Sequence, residues 1–138
     1  MPTKDKMSAQ CTPLLNAKEA IAIHVRWRIA LQMAIATREP LSASAVSAID
    51  HPDDCCIGRW LLSSHTFAIR RRPEYLALVA RHIEFHREMA HIARLIHTSD
   101  FDTATAALGP AGSFQRASRA IANAITAVDR IQTITLAG

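Results

Sequence analysis

The stretch PEYLALVARHIEFHREMAHIARLIH, residues 73–97, decides how this chain folds. Its leading proline suits the first turn of a helix, where a missing N–H costs nothing. Steps of four and three residues from Tyr75 give Val79, His82, His86, Met89, Ala93 and Ile96. That unbroken stripe is what a helix presents to the inside of a bundle. Two of its members are histidines, one turn apart on the same face. Glu84 lies about 200° round from His82 and His91 about 180°, both on the far side. His97 returns towards the stripe but about three turns beyond His86, too distant to share a site. A buried imidazole needs partners for both ring nitrogens, and the alkyl neighbours of His82 and His86 supply none. A metal ion taking one nitrogen from each resolves the difficulty.

The same reading extends outward along the chain. From about Pro13 to Thr37 a second helix carries Leu14, Ala17, Ile21, His24, Leu31 and Ile35 on one stripe. Ile23, Val25, Trp27, Ile29 and Met33 occupy much of the remaining circumference. A helix apolar on more than one side is covered on more than one side. A 138-residue monomer is expected to leave part of that surface for a second copy. Pro40 breaks the helix through its effect on Glu39. Ser42 to Ile49 predicts a short helical turn, and DHPDD, residues 50–54, a loop in which Asp53 or Asp54 caps a short helix from Ile57 to Leu62. Asp100 caps a last helical region, interrupted at LGPAGS (108–113) and resuming from about Phe114 to Ile134. The expected fold is all-α: a helical bundle of four long segments plus a short helix carrying Cys-x-Gly-x-Trp. It forms one domain, 13–138, after a disordered start at 1–12.

Composition sets the outer limits. At 49% apolar residues, 138 residues suffice for one buried core. No apolar run approaches a membrane span, and MPTKDKMSAQ has no apolar segment behind its lysines, so it is not a secretory signal. The net charge of +4 raises a nucleic-acid partner. The arginines are dispersed, however, and grouped only at Arg70, Arg71 and Arg72, without interleaved aromatics or a helix-turn-helix pattern. A solvated basic face is the expectation, with no nucleic acid bound. Three cysteines, two of them neighbours, do not make a disulfide framework, which points to the cytoplasm.

Cys55 and Cys56, just ahead of Ile57, Gly58 and Trp60, could be a disulfide, a nucleophile, an inert pair or a metal site. The histidines favour the last. His24 lies on the inner stripe of its helix, and one thiolate from Cys55 or Cys56 would complete a set of three imidazoles and one sulfur. Those are the donor types and the count that tetrahedral zinc prefers. Gly58 would let the short helix approach its neighbours closely, and Trp27 and Trp60 would wall the site from water. Asp53 and Asp54 read as loop or cap residues, with support of a ligand imidazole as the lesser alternative. His51 and His65 are loop residues outside the set.

HVRW (24–27), CIGRW (56–60) and HIEFH (82–86) together resemble the chemoreceptor zinc-binding domain family, whose pattern is H-x-x-W, C-x-G-x-W, H-x-x-x-H. The gaps of 32 residues (24 to 56) and 26 residues (56 to 82) are comparable to the family's, and the resemblance covers roughly residues 14–134. Carried over residue by residue, it implies zinc held by His24, Cys56, His82 and His86, with Cys55 as the extra thiol. It also implies a cytoplasmic, homodimeric helical bundle serving chemoreceptors or cyclic-di-GMP synthases. In that setting zinc occupancy or oxidation of the zinc-bound thiolate is the signal. The chain contains neither a receptor coiled coil nor a cyclase segment, so the output is expected on a partner protein. A zinc hydrolase would need an open coordination position and a nearby base. A di-iron carrier would need inward carboxylates, and a thiol nucleophile would leave the aligned histidines unexplained. No enzymatic activity is therefore expected. A purely structural zinc module is the competing reading.

Overall fold

The structure, a computed structural model, describes residues 16–137, with side chains through Gln132. The expected disordered start at 1–12, and Leu14 with it, lie outside the described residues. Within them the architecture is all-helical, as the periodicity predicts. Six α-helices follow in order: α1 Ala17–Thr37, α2 Ala43–Ile49, α3 Cys56–Leu62, α4 Pro73–His97, α5 Phe101–Ala107 and α6 Ser113–Ala137. Short 3₁₀ turns at Pro52–Asp54 and Ser64–Thr66 flank α3.

Local chemistry sets the helix ends. The Asn16 side chain accepts the Glu19 N–H at 3.1 Å to start α1. Arg38 then closes that helix in the left-handed conformation, φ 54°, with its N–H turned back to the Ala34 and Ile35 carbonyls. Pro73 opens α4. Asp100 accepts the Thr103 N–H at 3.3 Å to cap α5. The glycine- and proline-containing turn at 108–112 then separates α5 from α6, at the interruption expected there.

α4 is the central helix. It packs most extensively on α6 and also meets α1, α2 and α5. Tyr75, His82, His86, Met89, Ala93 and Ile96 of the expected stripe are all buried, joined by Leu78, Phe85, Ala90 and Ile92. Val79 is half-buried at its margin. α6 answers with Phe114, Ile121, Ile125 and Val128, none more than 2% exposed. On α1, Ile23 and Trp27 find cover within the chain, whereas Ile29 and Met33 remain 49% and 59% exposed.

Candidate metal centre

The cysteine pair is positioned by a one-residue detail of helix geometry. α3 begins at Cys56, not Ile57, so the N-cap position falls to Cys55, in extended backbone at φ −84°, ψ 162°. Asp53 and Asp54 are not its caps. They belong to the exposed 3₁₀ turn before it, and no side chain caps α3. That turn lies against α3 at Gly58. A Cβ on residue 58 would stand 2.0 Å from the Pro52 carbonyl oxygen and 2.9 Å from Asp53 Cα, both backbone atoms. The glycine is therefore required by close approach of main chain to main chain, as its place in the motif suggested.

The other end of α3 is fastened by side chains. The Leu61 carbonyl accepts the Tyr75 hydroxyl at 2.7 Å and the Thr66 hydroxyl at 3.0 Å. Arg70 donates to the Leu62 and Ser63 carbonyls at 3.2 and 2.9 Å, and through Nε to Thr66 Oγ1 at 3.0 Å. The last carbonyls of a helix have no partners inside it, and this group supplies them. The seven-residue helix is thus tied to α4 at one end and presents Cys55 at the other.

His24 from α1, Cys55 from the start of α3, and His82 and His86 from α4 converge. One donor atom from each lies within 4.8 Å of the others, and all four residues are buried. Cys55 Sγ is 3.0 Å from His82 Nε2. The three imidazole rings meet edge to face, with centroids 4.6 Å apart for His82 and His86, 5.5 Å for His24 and His82, and 5.7 Å for His24 and His86. The three expected histidines are brought together, and the cysteine that joins them is Cys55, the residue before the expected Cys56. Cys56 is buried at the first position of α3, and Cys55 occupies the place assigned to it. The physical reason is that Cys55, in extended backbone ahead of the first turn, and Cys56, inside that turn, point in different directions. With the helix beginning at Cys56, it is the extended residue before it that faces the histidines.

Hydrogen bonds fix which nitrogens face inward. His24 Nδ1 donates to the Ala20 carbonyl at 2.9 Å, one turn back on its own helix. His86 Nδ1 donates to the Ile49 carbonyl, the last of α2, at 2.8 Å. A carbonyl only accepts, so both rings carry their proton on Nδ1 and turn a bare Nε2 lone pair into the cluster. Those two Nε2 atoms are fully buried and without a hydrogen-bond partner. An unsatisfied buried polar atom costs about 1–3 kcal/mol, and two aimed at one point need a common partner. A metal cation meets that need, and the Ala20 and Ile49 carbonyls, not Asp53 or Asp54, orient these two rings.

Burial also sets the protonation states. Desolvation, with only partial relief from the Ala20 hydrogen bond, lowers the His24 pKa to about 4. Burial likewise lowers His82 and His86, with the neighbouring imidazoles adding to the effect at His82. The histidines are therefore neutral at physiological pH, as metal ligands must be. Burial pushes the Cys55 thiol up to about 11. A cation among these donors reverses that, because a coordinating thiol is deprotonated outright.

The remaining histidines stand apart. His91 is exposed, and His97 donates from Nδ1 to the Leu41 carbonyl at 2.7 Å, holding the segment ahead of α2. His51 and His65 are exposed. Trp27 and Trp60 lie in the same core as Cys55, 9% and 5% exposed. Glu84 pairs with Arg81 at 2.7 Å on the outer side of α4.

Comparison with protein-family models, with curated proteins and with solved structures finds no match for this chain. The buried His₃Cys cluster in an all-helical protein is what stands in common with the family that the sequence resembles. No helix among the described residues is long and apolar enough to cross a membrane.

Proposed function

We propose that this chain is a zinc-binding regulatory domain of the chemoreceptor zinc-binding kind, with zinc held by His24, Cys55, His82 and His86. The observation that carries the reading is the pair of buried, partnerless Nε2 atoms of His24 and His86, aimed at the same point as Cys55 and His82. Three imidazoles and one thiolate meet zinc's preference for nitrogen and sulfur in tetrahedral number. When bound, zinc supplies a positive charge that holds Cys55 as thiolate and satisfies the lone pairs together.

The role is regulatory, not catalytic. Four protein donors fill the tetrahedral count, and Glu84, the carboxylate within the HIEFH motif, is engaged by Arg81 on the outer side. The signal is zinc occupancy or oxidation of Cys55. Peroxide oxidises the thiolate to sulfenic acid, giving up one oxygen and leaving as water, and a ligand is lost. The exposed Ile29 and Met33 on α1 support a homodimer through that helix. The output is a cytoplasmic signalling partner in chemotaxis or cyclic-di-GMP control. Complete burial of all four donors also favours a second reading, a purely structural zinc module.

Metal analysis of purified protein tests the assignment. One zinc per chain is expected, and none in the His82→Ala, His86→Ala double variant. A full complement in that variant overturns it. Release of zinc by mild peroxide, followed with a chromogenic chelator while circular dichroism holds, separates the sensor from the structural module. Light scattering that gives a monomeric mass at micromolar concentration removes the dimer.

A further inference from the structure

The segment that begins with the metal-facing cysteine ends in an unusual piece of surface. Between Asp54 and Glu74 the sequence has arginines at 59, 70, 71 and 72 and no aspartate, glutamate or lysine. In the same span Leu62 and Phe67 are 65% and 66% exposed, among the most exposed large apolar side chains described. They are held by one residue. The Arg70 guanidinium lies 4.5 Å from the centre of the Phe67 ring, and the same side chain donates to the Leu62 carbonyl at 3.2 Å.

We propose that Leu62, Phe67 and the arginines at 70–72 form the docking surface for an acidic amphipathic segment of a partner protein. Charge complementarity names the occupant. An exposed apolar pair in a stretch of chain that carries four arginines and no carboxylate matches a helix with leucines on one face and carboxylates beside them. Arginine's planar fork pairs with carboxylates bidentately, as a lysine could not. The acid at the edge of the patch, Glu74, is already bonded to Arg72 at 3.5 Å.

The surface is mechanically joined to the cluster. Arg70 and Thr66 hold the last carbonyls of α3, and the residue before the first turn of that helix is Cys55. Docking and metal binding therefore act on the two ends of one seven-residue helix, and each favours the seated helix that the other needs. This coupling rests on the metal reading above; the docking surface does not.

The test is fluorescence anisotropy on the full chain, zinc-loaded, with a labelled helical peptide bearing leucines on one face and glutamates elsewhere. Its lysine counterpart and phosphatidylserine vesicles are run beside it. The glutamate peptide is expected to bind at least about tenfold more tightly than the lysine peptide at low salt, with the preference falling as salt rises. Phe67→Ser and the Arg71→Glu, Arg72→Glu pair are each expected to lower its affinity about tenfold with zinc content unchanged. Stripping the zinc is expected to weaken it several-fold. Equal binding of the two peptides, tighter binding to vesicles, or a dimer that dissociates in Phe67→Ser overturns the docking proposal. A chain that holds no metal but prefers the glutamate peptide refutes only the coupling, so the two failures are distinguishable.

Discussion

The two halves of α4 are equally buried and quite differently completed. In its second half Met89, Ala90, Ile92, Ala93 and Ile96 are at most 1% exposed, and their neighbours are aliphatic and aromatic side chains. No buried side-chain nitrogen or oxygen among these residues lacks a partner. In its first half His82 and His86 are 2% exposed, and His86 still leaves a ring nitrogen unanswered. The lesson is that burial alone does not tell a core from a site. What distinguishes them is whether the buried polar atoms are satisfied from within the chain.

That contrast can be broken most decisively by truncating each half. His82→Ala with His86→Ala should reduce zinc affinity by about three orders of magnitude or more, since two of four donors go. The metal-free variant should also lose stability to the cavity that the two rings leave. Ile92→Ala should instead cost about 2–5 kcal/mol whether or not metal is present. Paired calorimetry and metal titration check both, and an equal loss of zinc affinity in Ile92→Ala would erase the distinction.

Exchanging the cysteines sharpens it next. Cys55→Ala should weaken zinc binding by about a hundredfold or more, whereas Cys56→Ala should stay within about threefold. Isothermal titration with a competing chelator measures the pair, and the reverse ranking would return the ligand role to Cys56.

Gly58→Ala follows, because the added methyl would overlap the Pro52 carbonyl at 2.0 Å. The expected cost is about 2–4 kcal/mol with a loss of zinc affinity, since the Cys55 segment must move. Urea denaturation and zinc titration of the variant report the two effects separately.

The pH dependence of the metal-free chain tests the imidazoles themselves. The His24 pKa falls from 6.5 to about 4 on folding, because burial penalises the charged ring. The unfolded chain therefore binds the proton first, and acid favours it. The stability is fully present above pH 6.5 and is lost as pH falls towards 4, on the order of 3 kcal/mol from this residue alone. Cys55 acts in the opposite direction: its contribution is present below pH 9 and is lost as pH rises to about 11. Denaturant midpoints that do not change between pH 7 and 4 would remove the buried neutral imidazole. The smallest effect should come from Tyr75→Phe, about 1 kcal/mol, because Thr66 still donates to the Leu61 carbonyl.

Much of this was determined by the sequence alone. Helical period placed Tyr75, His82, His86, Met89, Ala93 and Ile96 on one buried face, since a 3.6-residue repeat is a local property of the backbone. It also placed His24 on an inner stripe and Gly58 at a close approach. Only the tertiary structure decided which cysteine joins the histidines. Helix starts are legible to within a residue or two, and a shift of one residue decides which cysteine lies inside the first turn and which in the extended backbone ahead of it. The same holds for the groups that orient the imidazoles. Ala20 and Ile49 act through their carbonyl oxygens, which every residue has, so no side-chain pattern could single them out; only the packing of α2 against α4 brings the Ile49 carbonyl to His86.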